Sequence, residues 1–252
     1  MTLSDAELER YARHIVLREV GGGGQARLKA SSVLVIGAGG IGSPAIQYLA
    51  GAGVGRLSII DDDRVDLSNL QRQTLFGTGD IGEPKSKVAA AQAHALNPHV
   101  QLDPVLDRIG PRNADLVRDF DVVLDGTDNF ATRLAVADAC LSHRIPLVSA
   151  AVAEFEGQLG VFRGWEADKP CYRCFVGHDP ERPEATCAEQ GVLGALAGVM
   201  GSLAALEAIR SIAPFGEDSA GKLLLVDALA LRFRTLSLPK DPGCPACGAD
   251  AA

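Results

Sequence analysis

A six-residue turn constrains the fold most. Val33-Leu34-Val35-Ile36 is a short apolar run, and it ends in Gly37-Ala38-Gly39-Gly40-Ile41-Gly42. An apolar run of that length closed by glycine reads as a buried strand. Gly37, Gly39 and Gly42 fit the pattern G-x-G-x-x-G, and Ile41 to Leu49 reads as the helix that follows. Strand, glycine turn and helix together bring backbone amides and a helix N-terminus close to a nucleotide. Asp61 closes a second strand, Leu57 to Ile60, about 20 residues on, where a carboxylate takes ribose hydroxyls. The turn alone leaves three readings open: a tight connection without ligand, a nicotinamide dehydrogenase, or another nucleotide-binding enzyme.

The pattern repeats along the chain. Lys85 to Leu96 is an Ala-rich helix with Pro84 at its start and Asn97-Pro98 at its end. Asp121 to Leu124 is a strand, Phe130 to His143 a helix, and Pro146 to Ser149 a further strand. Such alternation builds a doubly wound, mostly parallel α/β sheet of the Rossmann-like kind. Hydrophobic residues make up 47% of the 252 and aromatic ones only 5%, so the core must be Ala, Val, Leu and Ile. That composition suits strands covered by helices on both faces. Beyond residue 150 the reading changes. Gly157 to Phe162, Lys222 to Val226 and Leu231 to Thr235 read as strands of an antiparallel extension, with Val192 to Ile212 a long apolar helix. The division is a helical arm over 1–30, a nucleotide-binding part over 31–150, and a C-terminal part of the same domain over 151–252. Gly21 to Gly24 read as a flexible connector within the arm.

Charge and hydropathy exclude other classes. The net charge is -8, with no basic stripe, so nucleic acid is not an expected partner. No apolar run reaches the roughly 18 residues that span a bilayer, so no membrane association is expected. The polar N-terminus lacks the layout of a signal peptide. A cytoplasmic location is expected, where thiols stay reduced, so the 6 cysteines ask for a metal or a chemical role.

The segment after the second strand argues against hydride transfer. Asp61-Asp62-Asp63-Arg64-Val65-Asp66-Leu67-Ser68-Asn69-Leu70-Gln71-Arg72-Gln73 is dense in polar groups where open parallel sheets bind their ligands. Arg72 and Lys85 place two cations there, which nucleotidyl transfer needs because charge gathers on the leaving pyrophosphate. Asp128 ends another strand and is an oxygen ligand of the kind magnesium takes, or the N-cap of the next helix.

Two C-x-x-C pairs, Cys171-Tyr172-Arg173-Cys174 and Cys244-Pro245-Ala246-Cys247, have the spacing of a four-thiolate zinc site. The other reading is a pair of redox dithiols, which the Pro- and Gly-rich setting of the second pair disfavours. Cys140, on an Ala-rich helix, reads as a small buried residue.

With the glycine turn, Ser68-Asn69-Leu70-Gln71-Arg72-Gln73, Pro84-Lys85 and Asp125-Gly126-Thr127-Asp128-Asn129 in place, the chain resembles the MoeB/ThiF/HesA family from Arg10 to Cys247. These are bacterial relatives of ubiquitin-activating enzymes. The resemblance implies ATP-dependent adenylation of the C-terminal Gly-Gly carboxylate of a ubiquitin-like sulfur-carrier protein, with magnesium bound and zinc on Cys171, Cys174, Cys244 and Cys247. It implies that Gly40 lies under the nucleotide, that Asp61 takes the ribose, and that Asn69, Arg72 and Lys85 contact phosphates. It implies that Asp128 holds magnesium with Asn129 close by. Arg13 resembles an arm arginine that reaches the partner protomer's ATP site, which implies a homodimer. Cys187, beside the Pro-rich stretch 177–186, stands where relatives form a thioester or acyl disulfide with the carrier; its other reading is structural. A separate sulfurtransferase or cysteine desulfurase would supply sulfur. Within the family, the chain leans toward the molybdopterin-synthase branch, with the thiazole branch of thiamine synthesis close behind.

Overall fold

The computed structural model describes residues 2–177 and 191–248. Cys187, singled out above, lies outside the described residues. Eight strands form one sheet in the order β3-β2-β1-β4-β5-β6-β7-β8. β1 (Ser32–Ile36), β2 (Arg56–Ile60), β3 (Gln101–Val105), β4 (Val122–Asp125) and β5 (Leu147–Ala153) run parallel. β6 (Glu156–Phe162), β7 (Lys222–Asp227) and β8 (Arg232–Ser237) continue the same sheet antiparallel, as the sequence leads one to expect.

Side chains alternate across the sheet, so each central strand feeds two cores. Val33 and Val35 of β1 pack on one face with Leu57, Ile59, Val122 and Leu124. That face is covered by α4 (Gly42–Ala52), α5 (Lys85–Leu96) and α8 (Gly194–Ile212), through Ile46, Leu49, Ala89, Ala93, Met200 and Ala204. Leu34 and Ile36 point the other way, onto α6 (Phe130–His143) and α7 (Tyr172–Val176), through Val136, Cys140, Tyr172 and Val176. Cys140 is 1% exposed, in keeping with the small buried residue that its helix suggests. α8 is long and apolar enough to cross a membrane by length and composition alone. Here Leu196, Ala197, Met200, Gly201, Ala204, Ala205 and Ala208 are its buried stripe.

The arm holds α1 (Asp5–Arg10), α2 (Ala12–Ile15) and α3 (Gly21–Ala30). The four-glycine run is therefore the first turn of a helix and not a loop. Tertiary contact overrides propensity there. Gly24 is buried, and a Cβ on it would stand 2.9 Å from Val20 Cγ1 and 3.5 Å from Ala213 Cβ. One residue on, Gln25 Nε2 donates to Ala52 O at 2.8 Å, and Leu28 is fully buried.

β3 is absent from the sequence reading. It is the sheet's outer parallel strand, half exposed, and it carries Asp103 and Pro104, so it shows no apolar run. Proline is admitted there because one side of an edge strand needs no donor. Arg56 Nε and Asp103 Oδ2, 2.6 Å apart, tie β3 to β2.

Candidate functional site

The strand order changes direction between β1 and β4, and the cavity lies outside the carboxyl ends of those strands. It encloses about 540 Å³. The glycine turn forms its floor. Gly37 has φ +85°, and its N–H donates to Ile60 O at 2.8 Å. A Cβ on Gly42 would stand 1.9 Å from Gly37 O, so only glycine lets α4 start so close to the turn. A Cβ on Gly40 would meet Ala197 of α8 at 3.0 Å, whereas one on Gly39 would meet nothing nearer than Gln73 Nε2 at 3.7 Å. Gly37, Gly39 and Gly40 thus present bare backbone to the cavity.

Asp61 closes β2 beside that turn. Its carboxylate accepts from Ala38 N at 2.7 Å and Asp63 N at 2.8 Å. Burial pushes its pKa up against the opposing field of Lys85. Lys85, at the start of α5, donates from Nζ to Asp63 Oδ2 at 2.8 Å. Arg72 donates to Ser68 O at 3.2 Å, while Asn69 O accepts from the N–H groups of Arg72 and Gln73. Asn69, Arg72 and Lys85 all line the cavity. Ser68, Leu70, Gln71 and Gly42 stand behind its wall. Asp66 Oδ1 caps the turn by accepting from Ser68 N, Leu70 packs on the core, and the Gln71 carbonyl lies under Gly194.

Asp128 and Asn129 follow β4. Asn129 Oδ1 accepts from Thr132 N at 2.8 Å, so Asn129 is the N-cap of α6. Asp128 is exposed in the cavity wall and carries no cap bond. Asp62, Asp63 and Asp128 are oxygen donors suited to a hard cation. Arg13, on α2, is exposed and does not line the cavity of its own chain.

Three cavity residues are not candidates from sequence. Arg108 lines it from the loop after β3 and donates from Nε to Asp62 Oδ2 at 3.0 Å. Gln73 is 3% exposed, and its Oε1 is buried without a hydrogen-bond partner. Arg133, 6% exposed, reaches the cavity from inside α6. A charged side chain on the same helical stripe as Val136, Ala137 and Cys140 is the signal that marks it.

The four cysteines of the two pairs converge although 73 residues separate Cys171 from Cys244. Their sulfurs lie 3.8 Å apart for Cys171 and Cys174, 3.6 Å for Cys171 and Cys244, and 3.4 Å for Cys174 and Cys247. Tetrahedral zinc with sulfurs at ~2.3 Å sets them ~3.8 Å apart. The cluster therefore fits a closed, four-thiolate zinc site. It lies at the start of α7, where a Cβ on Gly164 would be 2.4 Å from Cys171 Cβ.

Comparison with known proteins identifies the family. The ThiF family model matches residues 11–246. The chain is 46% identical to the SAMP-activating enzyme E1 of Haloferax volcanii, over 98% of this chain and 92% of that one. It is 44% identical to the molybdopterin-synthase adenylyltransferase of Escherichia coli, over 98% of both. It is 46% identical to the sulfur carrier protein ThiS adenylyltransferase of the same organism, over 99% of both. Its fold matches the crystal structure of E. coli MccB with ATP at a TM-score of 0.79 and 21% identity, over 97% of this chain and 75% of that one. By the reach of the family model and the extent of these identities, the chain belongs to the ThiF family.

Proposed function

We propose that this chain adenylates the C-terminal Gly-Gly carboxylate of a ubiquitin-like sulfur-carrier protein with ATP, releasing pyrophosphate. One observation carries the reading: the bare glycine turn, Arg72, Lys85 and Asp128 converge on a single cavity at the sheet's switch point. Relatives bearing adenylyltransferase names support it along the whole chain.

The chemistry follows from charge. The carrier's carboxylate is already ionised, so no general base is required. The site must hold it in line with the α-phosphate and offset repulsion between two anions. Glycine-turn amides and the start of α4 face the phosphates, Asp61 the ribose, and Asn69, Arg72 and Lys85 the phosphate oxygens. Lys85 exchanges Asp63 for the leaving pyrophosphate. Magnesium, when bound, would neutralise phosphate charge, and Asp128 is the carboxylate we assign to it, with Asn129 fixing the loop. Arg13 would complete the site of a partner protomer in a homodimer. Zinc on Cys171, Cys174, Cys244 and Cys247 would be structural, and residues 151–252 would carry both it and the carrier-binding surface. Cys187 is assigned to carrier adduct formation, and sulfur would come from a separate sulfurtransferase or cysteine desulfurase.

The molybdopterin-synthase carrier is our first assignment, and the thiazole carrier the second. ATP–pyrophosphate exchange with each carrier tests both. Exchange that requires a carrier, and is faster with the molybdopterin type, supports the assignment; exchange with the thiazole type alone moves it to the other branch. Absence of exchange with either carrier overturns the reading.

A further inference from the structure

The cavity wall contains a buried cation that the reaction above does not use. Arg133 is 6% exposed. One guanidinium nitrogen, Nη2, donates to Thr127 O and, at 2.9 Å, to Ala150 O. Nη1 lies 3.5 Å from Ser149 Oγ. Ser149 in turn faces Asp125, which is fully buried and accepts from Thr127 N at 3.0 Å and Thr127 Oγ1 at 2.7 Å. Thr127 is thus held at its carbonyl by Arg133 and at its amide and hydroxyl by Asp125. The next residue is Asp128, and Asn129 after it caps the helix on which Arg133 sits.

Tyr172 of α7 lines the same cavity as Arg133. Burial opposes the charge on Arg133, and Asp125, Tyr172 and Asp128 more than offset it. Tyr172 is 4% exposed and packs edge-on against Phe162, with ring centroids 5.2 Å apart. It follows Cys171 of the cysteine cluster directly. The next residue, Arg173, clamps α7 to α6 with two bonds of 2.7 Å to the carboxylate of Asp138.

We propose that Arg133 is a positioning residue for the proposed magnesium ligand, fixing the Thr127–Asn129 loop so that the Asp128 carboxylate faces the cavity. The inference rests on the adenylation reading only for the identity of the ligands. A buried cation holding a backbone carbonyl is costly to desolvate, and apolar packing alone would fill the space. Its geometry ties the loop to the sheet, since Thr127 lies beyond the end of β4 and Ala150 within β5. Lysine cannot replace it, because a single ammonium cannot reach a loop carbonyl, a strand carbonyl and a hydroxyl in one plane.

The test uses Arg133→Lys, which keeps the charge but not the plane of donors, and Arg133→Met, which fills the space without either. Binding of a fluorescent ATP analogue is titrated with magnesium in the intact protein, beside thermal unfolding. The expected result is a magnesium requirement raised roughly tenfold in Arg133→Lys and further in Arg133→Met, with little change in affinity for the analogue without metal. The thermal transition of Arg133→Met should move by only a few degrees. A lowered transition with an unchanged magnesium requirement would mean a structural role and overturn the proposal. Wild-type protein that binds the nucleotide with magnesium but gives no pyrophosphate exchange would overturn adenylation alone, and the variants would still decide the positioning role. Failure of the wild type to bind nucleotide would overturn both.

Discussion

Lys85 and Asp63 form an unequal pair: their charged atoms are 2.8 Å apart, but the lysine side chain is 5% exposed and the aspartate 59%. The cation is set into the wall and its counterion is the part that can leave. Lys85→Ala should therefore lower pyrophosphate exchange by about 100-fold or more. It also removes the cation whose field opposes the burial of Asp61, so the thermal transition is recorded beside exchange to separate folding from chemistry. Exchange at the wild-type rate would remove Lys85 from the chemistry.

The glycines of the turn should separate folding from binding. Gly42→Ala would drive a Cβ to 1.9 Å from Gly37 O, and should destabilise by several kcal/mol. Gly39→Ala meets only Gln73 Nε2 at 3.7 Å and should fold normally. Its methyl group would enter the cavity, so ATP affinity should drop by roughly tenfold or more while the melting temperature stays. Calorimetry of both variants with and without ATP checks the contrast.

The arm should respond to acid. Glu7 accepts from Lys29 Nζ at 2.7 Å and from Ser4 N at 2.8 Å, and the lysine's bond foremost lowers its pKa from 4.5 to about 2. A depressed folded pKa stabilises above the unfolded value and is lost as pH falls through the folded one. The contribution should be complete above pH 4.5 and vanish toward pH 2. Glu7→Gln should flatten the pH dependence of the melting temperature in that window, and an unchanged slope would refute the pairing.

Chelation tests the cysteine cluster. Removing zinc should lower the melting temperature by about 10 °C. Because Tyr172 adjoins Cys171 and lines the cavity, nucleotide affinity should weaken as well. Full retention of both after the metal has been assayed as absent would show that the four thiols need none.

Arg13 is exposed on α2 and outside its own chain's cavity. A site completed by a partner protomer predicts complementation. Arg13→Ala and Asp128→Ala should each abolish exchange, and a re-equilibrated mixture should regain about a quarter of it, since one hybrid site in half of the dimers is whole. An inactive mixture of mixed dimers would refute the shared site.

Much of this was legible in the chain because its strands are buried on both faces. Val33 to Ile36 and Asp121 to Leu124 announce themselves as apolar runs, and α5 and α6 begin and end at the residues their patterns give. β3 did not, because an edge strand with Asp103 and Pro104 carries no such signature. The cavity's glycines and cations could be read from their place after strand ends. Arg108 could not, since it reaches the cavity from a loop whose path only the packed fold defines; Arg133 shows only as a charge on an apolar helix face, and Gln73 only as one polar residue among many in its segment. The distinction between Asp128 and Asn129 also needed coordinates: either residue type caps a helix, and Asn129 does.

Gly21 to Gly24 forgo about 1 kcal/mol each relative to alanine in a helix, so the segment has no strong tendency to coil by itself. Its order is borrowed from Ala52, the last residue of α4, and from Ala213, the cap that ends α8. The arm must then be among the last parts to become protected from hydrogen exchange during folding and among the first to open, and its amides should exchange far faster than those of β1.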